Sequence, residues 1–109
     1  MAITSYGFQA HYTALSVNAT GDNTLVAAVP GMKIRVVSIF VVSSGGTSSL
    51  KFQSSTTSDL TGAIVMEDQS KFDLGVSEYG HFQTEAGEAL SLNLSNKVTL
   101  GGAITYFLC

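Results

Sequence analysis

The strongest constraint on the fold is a strict alternation of apolar and polar residues near the end of the chain. Residues 90–95 read LSLNLS, so three leucines occupy every second position. A period of two places neighbouring side chains on opposite faces of a β-strand. The segment therefore predicts a strand with one core face and one polar face, with Leu92 in the middle of the core face.

Turn-forming clusters separate further short apolar runs along the chain. They include NATGDN at 18–23, the Pro30-Gly31 pair and SSGG at 43–46. Such signals at intervals of about 8–12 residues are typical of β-sandwiches, and no segment has a clear helical period. Only 12% of the residues are charged, which disfavours a helical bundle. We therefore predict an all-β fold, with residues 1–109 forming a single-domain antiparallel β-sandwich, jelly-roll-like, of about eight strands.

The first 22 residues are predicted to form an N-terminal strand or an attachment arm. Phe8, Ala10, Tyr12 and Ala14 alternate with polar residues, which predicts a first strand whose apolar face carries these four side chains. A turn is expected at 18–23. The further strands are expected near 25–29, 33–42, 50–53, 63–66, 80–84 and 98–108.

The strand at 33–42 differs from the others because both of its faces are apolar from Val36 to Val42. A strand that is apolar on both faces is buried on both. We expect it in the middle of the sandwich or against another subunit. In the last strand, Gly101-Gly102 predicts a bulge or a sharp bend.

The distribution of charge and cysteine argues against several partners. The formal net charge is -3 and the five basic residues are scattered, so we expect no nucleic-acid binding. No signal peptide and no apolar span long enough for a membrane helix is evident, which predicts synthesis in a cytoplasm and no membrane partner. The single Cys109 cannot form an internal disulfide.

We find no pattern of residues that predicts catalysis, a metal site or a cofactor. His11 and His81 lie in no metal-ligand motif, so His11 is expected at the surface or in an interface. Paired carboxylates could hydrolyse a glycoside, yet the chain has no Trp to bind a sugar. DQSKFDLG at 68–75 is a weak calcium-loop signal. We therefore predict a protein that is not an enzyme, with no metal and no cofactor.

Two stretches together resemble a family of small structural proteins from tailed bacteriophage particles. One is LVAAVPGMKIRVVS at 25–38, and the other is FQTEAGEALSLNL at 82–94, followed by GGAITY at 101–106. The resemblance covers about residues 24–107. It implies a compact β-sandwich or jelly roll in the virion that contacts the major capsid protein or other virion proteins, and it implies no catalytic residues.

The function expected from the resemblance is a capsid decoration or cement protein that stabilises the phage head. The alternative is a head or tail fibre, neck or tail component that binds a receptor or a carbohydrate. In that case Tyr6, Tyr12 or Tyr79 would serve as stacking platforms.

We further expect a homotrimer, because closed symmetry would cover the apolar strand surfaces and both capsid lattices and phage fibres offer three-fold arrangements. Tyr6, Phe8 and Tyr12 precede the recognised motifs. They are candidates for an interface, since aromatic side chains anchor interfaces. They could equally be core residues of the first strand.

Overall fold

The computed structural model describes residues 10–56, 58–77 and 79–109. Within these ranges the chain forms strands and no helix. The described residues therefore contain no helix that is long and apolar enough to cross a membrane. The ten strands, in chain order, are β1 His11–Val17, β2 Gly21–Val26, β3 Ile34–Ser44, β4 Ser48–Ser54, β5 Ser58–Asp59, β6 Ile64–Met66, β7 Lys71–Leu74, β8 Phe82–Gln83, β9 Leu90–Leu94 and β10 Thr99–Leu108.

The strands form two antiparallel sheets of five strands each. Sheet A has the order β1-β10-β3-β7, and β8 also pairs with β3. Sheet B has the order β2-β9-β4-β5, and β6 also pairs with β4. The first strand lies beside the last, and the chain crosses repeatedly between the sheets, as in a jelly roll. The predicted all-β sandwich is confirmed.

The core lies between the sheets and consists mainly of aliphatic side chains, with Phe52 and Met66 among them. Leu90, Leu92 and Leu94 all point into it from β9, and Leu92 is fully buried. Phe52 of β4 is also fully buried, and its ring stacks on Phe82 with the centroids 5.1 Å apart. The alternation at 90–95 therefore predicted its strand, and the face that turns inward, correctly.

The long strand β3 is buried on both faces only at its beginning, so of the two alternatives for 36–42, burial in the middle of the sandwich does not hold for the whole stretch. Val36 pairs with Tyr106 and Ser38 pairs with Thr105, which leaves Val37 as an extra residue in a β-bulge. The bulge allows Val36 and Val37 to be buried in succession. Beyond it, outward-facing Phe40 and Val42 are about half exposed.

The expected apolar face of the first strand is also wrong. Leu15 and Val17 point into the core, whereas Tyr12 and Ala14 point outward. The sequence predicts a turn at 18–23 followed by a strand near 25–29. In the structure, β2 begins earlier and spans Gly21–Val26, so the turn is confined to the residues before it. Strands β5 and β7 lie in stretches where the sequence predicted no strand.

The Gly101-Gly102 pair does not form the predicted bulge, because β10 pairs with β3 in regular register there, and the bulged residue is Val37 of β3, opposite Thr105 and Tyr106. Gly102 sits between Leu15 of β1 and Val41 of β3, with its missing side chain directed at the backbone of β3. A Cβ there would overlap the carbonyl oxygen of Phe40. Glycine is therefore required at this position for a close approach of two strands.

Buried serines join the two sheets to their loops at one end of the sandwich. The Ser43 hydroxyl of β3 donates to the Glu67 carbonyl at 2.6 Å. The Ser48 hydroxyl of β4 donates to the Asn96 carbonyl at 3.0 Å and accepts from the Asn96 amide at 2.9 Å. These bonds satisfy polar groups that burial would otherwise leave unpaired.

Candidate interaction surface

Of the three interface residues predicted from the sequence, the structure describes only Tyr12. Tyr12 lies on β1 with 77% of its surface exposed, so it is not a core residue of the first strand. Tyr6 and Phe8 lie outside the described residues. Tyr12 belongs to the outer face of sheet A, which is the candidate site.

The outer face of sheet A is built from rows of outward-pointing residues across β1, β10 and β3. One row is Ala14, Ala103 and Phe40, and the next is Ser16, Gly101 and Val42. Phe40 is 49% exposed and Val42 is 46% exposed, and they stand beside the small residues of β10. The result is an apolar surface of small residues from which a phenyl ring and a branched side chain project.

Two charged residues of opposite sign border this surface along β7. Asp73 extends the row of Phe40, and Lys71 extends the row of Val42. Both side chains are exposed, and neither forms an ion pair with another described residue. Within the described ranges these are the charges on the two central rows of the face.

The outer face of sheet B is mostly polar, in contrast to that of sheet A, although Val65 of β6 is 69% exposed there. Asn93 donates to the carboxylate of Asp22 at 2.8 Å, and Lys51 forms an ion pair with Asp59 at 3.2 Å. Hydrogen bonds from Gln53 and then Lys51 hold the pKa of Asp59 below its usual value. A face of amides, hydroxyls and paired charges is well suited to water.

The two histidines have structural partners. The His11 ring stacks on Tyr106 of the neighbouring strand, with the ring centroids 5.3 Å apart. A ring nitrogen of His81, Nε2, lies 2.7 Å from the Gly75 carbonyl oxygen. Across the described residues, no group of three or more His, Cys, Asp or Glu side chains is arranged to hold a metal ion.

The sequence did not identify Phe40 and Val42 as surface residues, although they form the centre of the candidate site. The sequence did contain a signal for this surface. The apolar residues on the second face of the strand at 36–42 predicted contact with another subunit as one of two alternatives. Tyr79, named as a possible stacking platform, lies between β7 and β8 and is 85% exposed.

Fold and surface together define a small all-β sandwich with one apolar and one polar outer face. No known family model matches the chain, and no curated protein matches it. Among solved structures, it is similar to a chain from Bacillus endospore appendages, a family of disulfide-linked pili. That match has a TM-score of 0.58 and 12% identity, and it covers 93% of this chain and 86% of the other.

A second similar structure is a chain of the cyanophage Pam1 capsid asymmetric unit. Its TM-score is 0.48 and its identity 14%, with 92% of this chain and 84% of that chain covered. The match to the pilus chain shows a shared fold, and a shared fold does not determine function.

Proposed function

We propose that this chain is a non-enzymatic structural subunit of a bacteriophage virion, most specifically a capsid decoration or cement protein that stabilises the head. The observation that carries the proposal is the contrast between the two outer faces of the sandwich. An apolar surface around Phe40 and Val42 favours contact with protein, whereas the polar face of sheet B favours water. A protein attached to a particle needs one face of each kind.

The sequence supports the same assignment through the motifs at 25–38 and 82–94, which resemble phage structural proteins. The composition is compatible with it as well. With 12% charged residues, the contacts of such a subunit depend little on ionic strength. The partners proposed are the major capsid protein or other virion proteins, and the place is the virion.

A second candidate is a fibre, neck or tail component that binds a receptor or a carbohydrate. It is favoured by the exposure of Tyr12 and Tyr79, because an exposed aromatic ring is a platform on which a sugar can stack. The two candidates differ in location on the particle, which fractionation into heads and tails distinguishes.

The proposal includes assembly as a homotrimer, with Tyr6, Phe8 and Tyr12 contributing to attachment. Light scattering combined with size-exclusion chromatography at micromolar concentration measures the mass of the purified protein. We expect three copies or a multiple of three. A monomer at all concentrations would contradict the three-fold assembly.

The decisive variant for attachment is Phe40→Asp. It places a charge at the centre of the apolar face, and because Phe40 is half exposed, the fold is expected to tolerate it. We expect the amount of chain retained on purified phage particles to fall about tenfold or more, as for loss of a central interface residue. Mass spectrometry of the particles measures the retained amount.

The matched control is Val65→Asp on β6 of sheet B, where the original side chain is 69% exposed. It makes the same kind of change on the opposite sheet and should leave retention unchanged. Equal retention of both variants would show that the outer face of sheet A does not attach the chain.

A further inference from the structure

We propose that the outer face of sheet A binds the same face of a second copy of this chain through a two-fold axis. The axis runs across the strands, between the row of Phe40 and the row of Val42. This inference rests on the proposed function in one respect, namely that the face is an assembly surface, and among the proposed virion partners it assigns this face to a neighbouring copy of the chain rather than to the major capsid protein.

The charges on β7 carry the argument. Lys71 and Asp73 are two residues apart on one strand, so both side chains point outward from the same face. A two-fold rotation about an axis across the strands exchanges the two rows. It therefore places Lys71 of one copy opposite Asp73 of the other, and Asp73 opposite Lys71, so that one contact contains two ion pairs.

The same rotation pairs the apolar side chains of the two copies. Because it lays β3 of one copy over β3 of the other, Phe40 of each copy faces Val42 of its partner, and Ala103 faces Gly101. Because Gly101, Ala14 and Ala103 project little, two such faces can approach to the roughly 10 Å at which sheets stack. Two Phe40–Val42 contacts, related by the axis, then form the apolar centre of the interface.

The alternative two-fold axis, parallel to the strands, is disfavoured by the same residues. It would place β7 over β1, so that Asp73 would face Ala14 and Lys71 would face Ser16. Both charges would then be partly removed from water without a partner, which costs free energy. Charge complementarity thus selects the axis across the strands, and a self-complementary patch is what a two-fold contact requires.

The contact is expected to be weak between free copies. Exposed ion pairs contribute little individually, and the apolar centre consists of few large side chains. On a particle surface, neighbouring copies are held close together, and a high effective concentration turns a weak contact into a stable one. Copies at adjacent sites of a lattice would in this way be joined to each other.

Charge exchange tests the contact. Lys71→Asp gives a face with two acids, and Asp73→Lys gives a face with two lysines, so each variant repels itself. We expect each to lower the self-association constant about tenfold, which corresponds to the loss of two exposed ion pairs. An equimolar mixture of the two variants, and the double variant K71D/D73K, should both recover the association of the original protein.

Sedimentation velocity at concentrations up to about 1 mM, the range in which weak complexes form, provides the readout. Lys97→Asp is the matched control, because Lys97 is exposed in the turn between β9 and β10 and the variant changes net charge equally. Thermal melting checks that all variants fold. The inference is overturned if the mixture associates no better than the separate variants, or if the original protein does not self-associate.

Failure of this inference can be distinguished from failure of the proposed function. If the original protein is retained on particles but does not pair in solution, the two-fold contact is wrong and the virion role stands. If the chain pairs as expected but is absent from particles, the virion role is wrong and the contact stands.

Discussion

Replacing Gly102 by alanine is expected to cost about 3 kcal/mol or more of folding free energy, at the upper end of the range for overpacked sites. The added Cβ would overlap the Phe40 carbonyl oxygen, and it would lie 2.9 Å from the carbonyl carbon and 3.1 Å from the Val41 Cα. All three atoms belong to the backbone of β3, which cannot rotate away as a side chain can. Strands β3 and β10 would have to separate at the centre of sheet A. Urea unfolding measures the loss.

The neighbouring glycine provides the control for this prediction. A Cβ added to Gly101 meets no atom within 4 Å, and its backbone is not left-handed. Gly101→Ala should therefore change stability by less than about 1 kcal/mol, because alanine also restricts the unfolded chain. If both variants unfold at the same urea concentration, the close approach of β10 to β3 at Gly102 is incorrect.

Leu92→Ala is expected to destabilise the fold by about 2–5 kcal/mol, the range for large-to-small changes in a core. Leu92 is fully buried at the centre of β9, opposite Phe52 of β4 and Asn23 of β2. Its truncation leaves a cavity between the two sheets that the neighbouring strands cannot fill. For a domain with a typical stability of about 5–15 kcal/mol, this is a large fraction of the total.

Asn93→Ala is the matched control, since it truncates the next residue of the same strand on the outer face. Asn93 is half-buried and donates to Asp22 in an exposed hydrogen bond, and loss of such a bond costs about 1 kcal/mol or less. Chemical denaturation should separate the two variants clearly. Equal stabilities would mean that the inward and outward faces of β9 are exchanged.

The sequence predicted best where large aliphatic residues alternate without ambiguity. In residues 90–95, leucines alternate with small polar residues. Only one orientation of the strand therefore buries the leucines. Strand β1 has apolar residues on both faces, because Tyr12 and Ala14 lie on one face and Leu15 and Val17 lie on the other. Tyrosine and alanine tolerate exposure better than leucine and valine do, and the core accordingly takes the aliphatic pair.

The first part of strand β2 was missed because its local sequence favours a turn. Gly21, Asp22 and Asn23 all have low strand propensity, yet they pair with Leu94, Asn93 and Leu92 of β9. The pairing involves residues about 70 positions apart in sequence, and a local pattern contains no information about it. Tertiary contacts override propensity here.

The candidate surface was predicted only as an alternative. Apolar residues on both faces of 36–42 indicate burial on both sides, but they do not say what covers the second side. In the structure, the core covers only the inner face of this stretch. Val41 is buried in the core, whereas Phe40 and Val42 on the outer face are exposed. Identifying the outer face required the register of β1, β10, β3 and β7, which brings the small residues and the two charges alongside Phe40.

Cryo-microscopy of the phage particle tests the central claim most directly, because it shows which face of each sandwich is covered. We predict copies of the chain on the particle surface, with Phe40 and Val42 of sheet A against protein and with Asn93 and Lys51 of sheet B directed to solvent. A map in which the outer face of sheet A is open to solvent, or a particle that lacks the chain, would contradict the account.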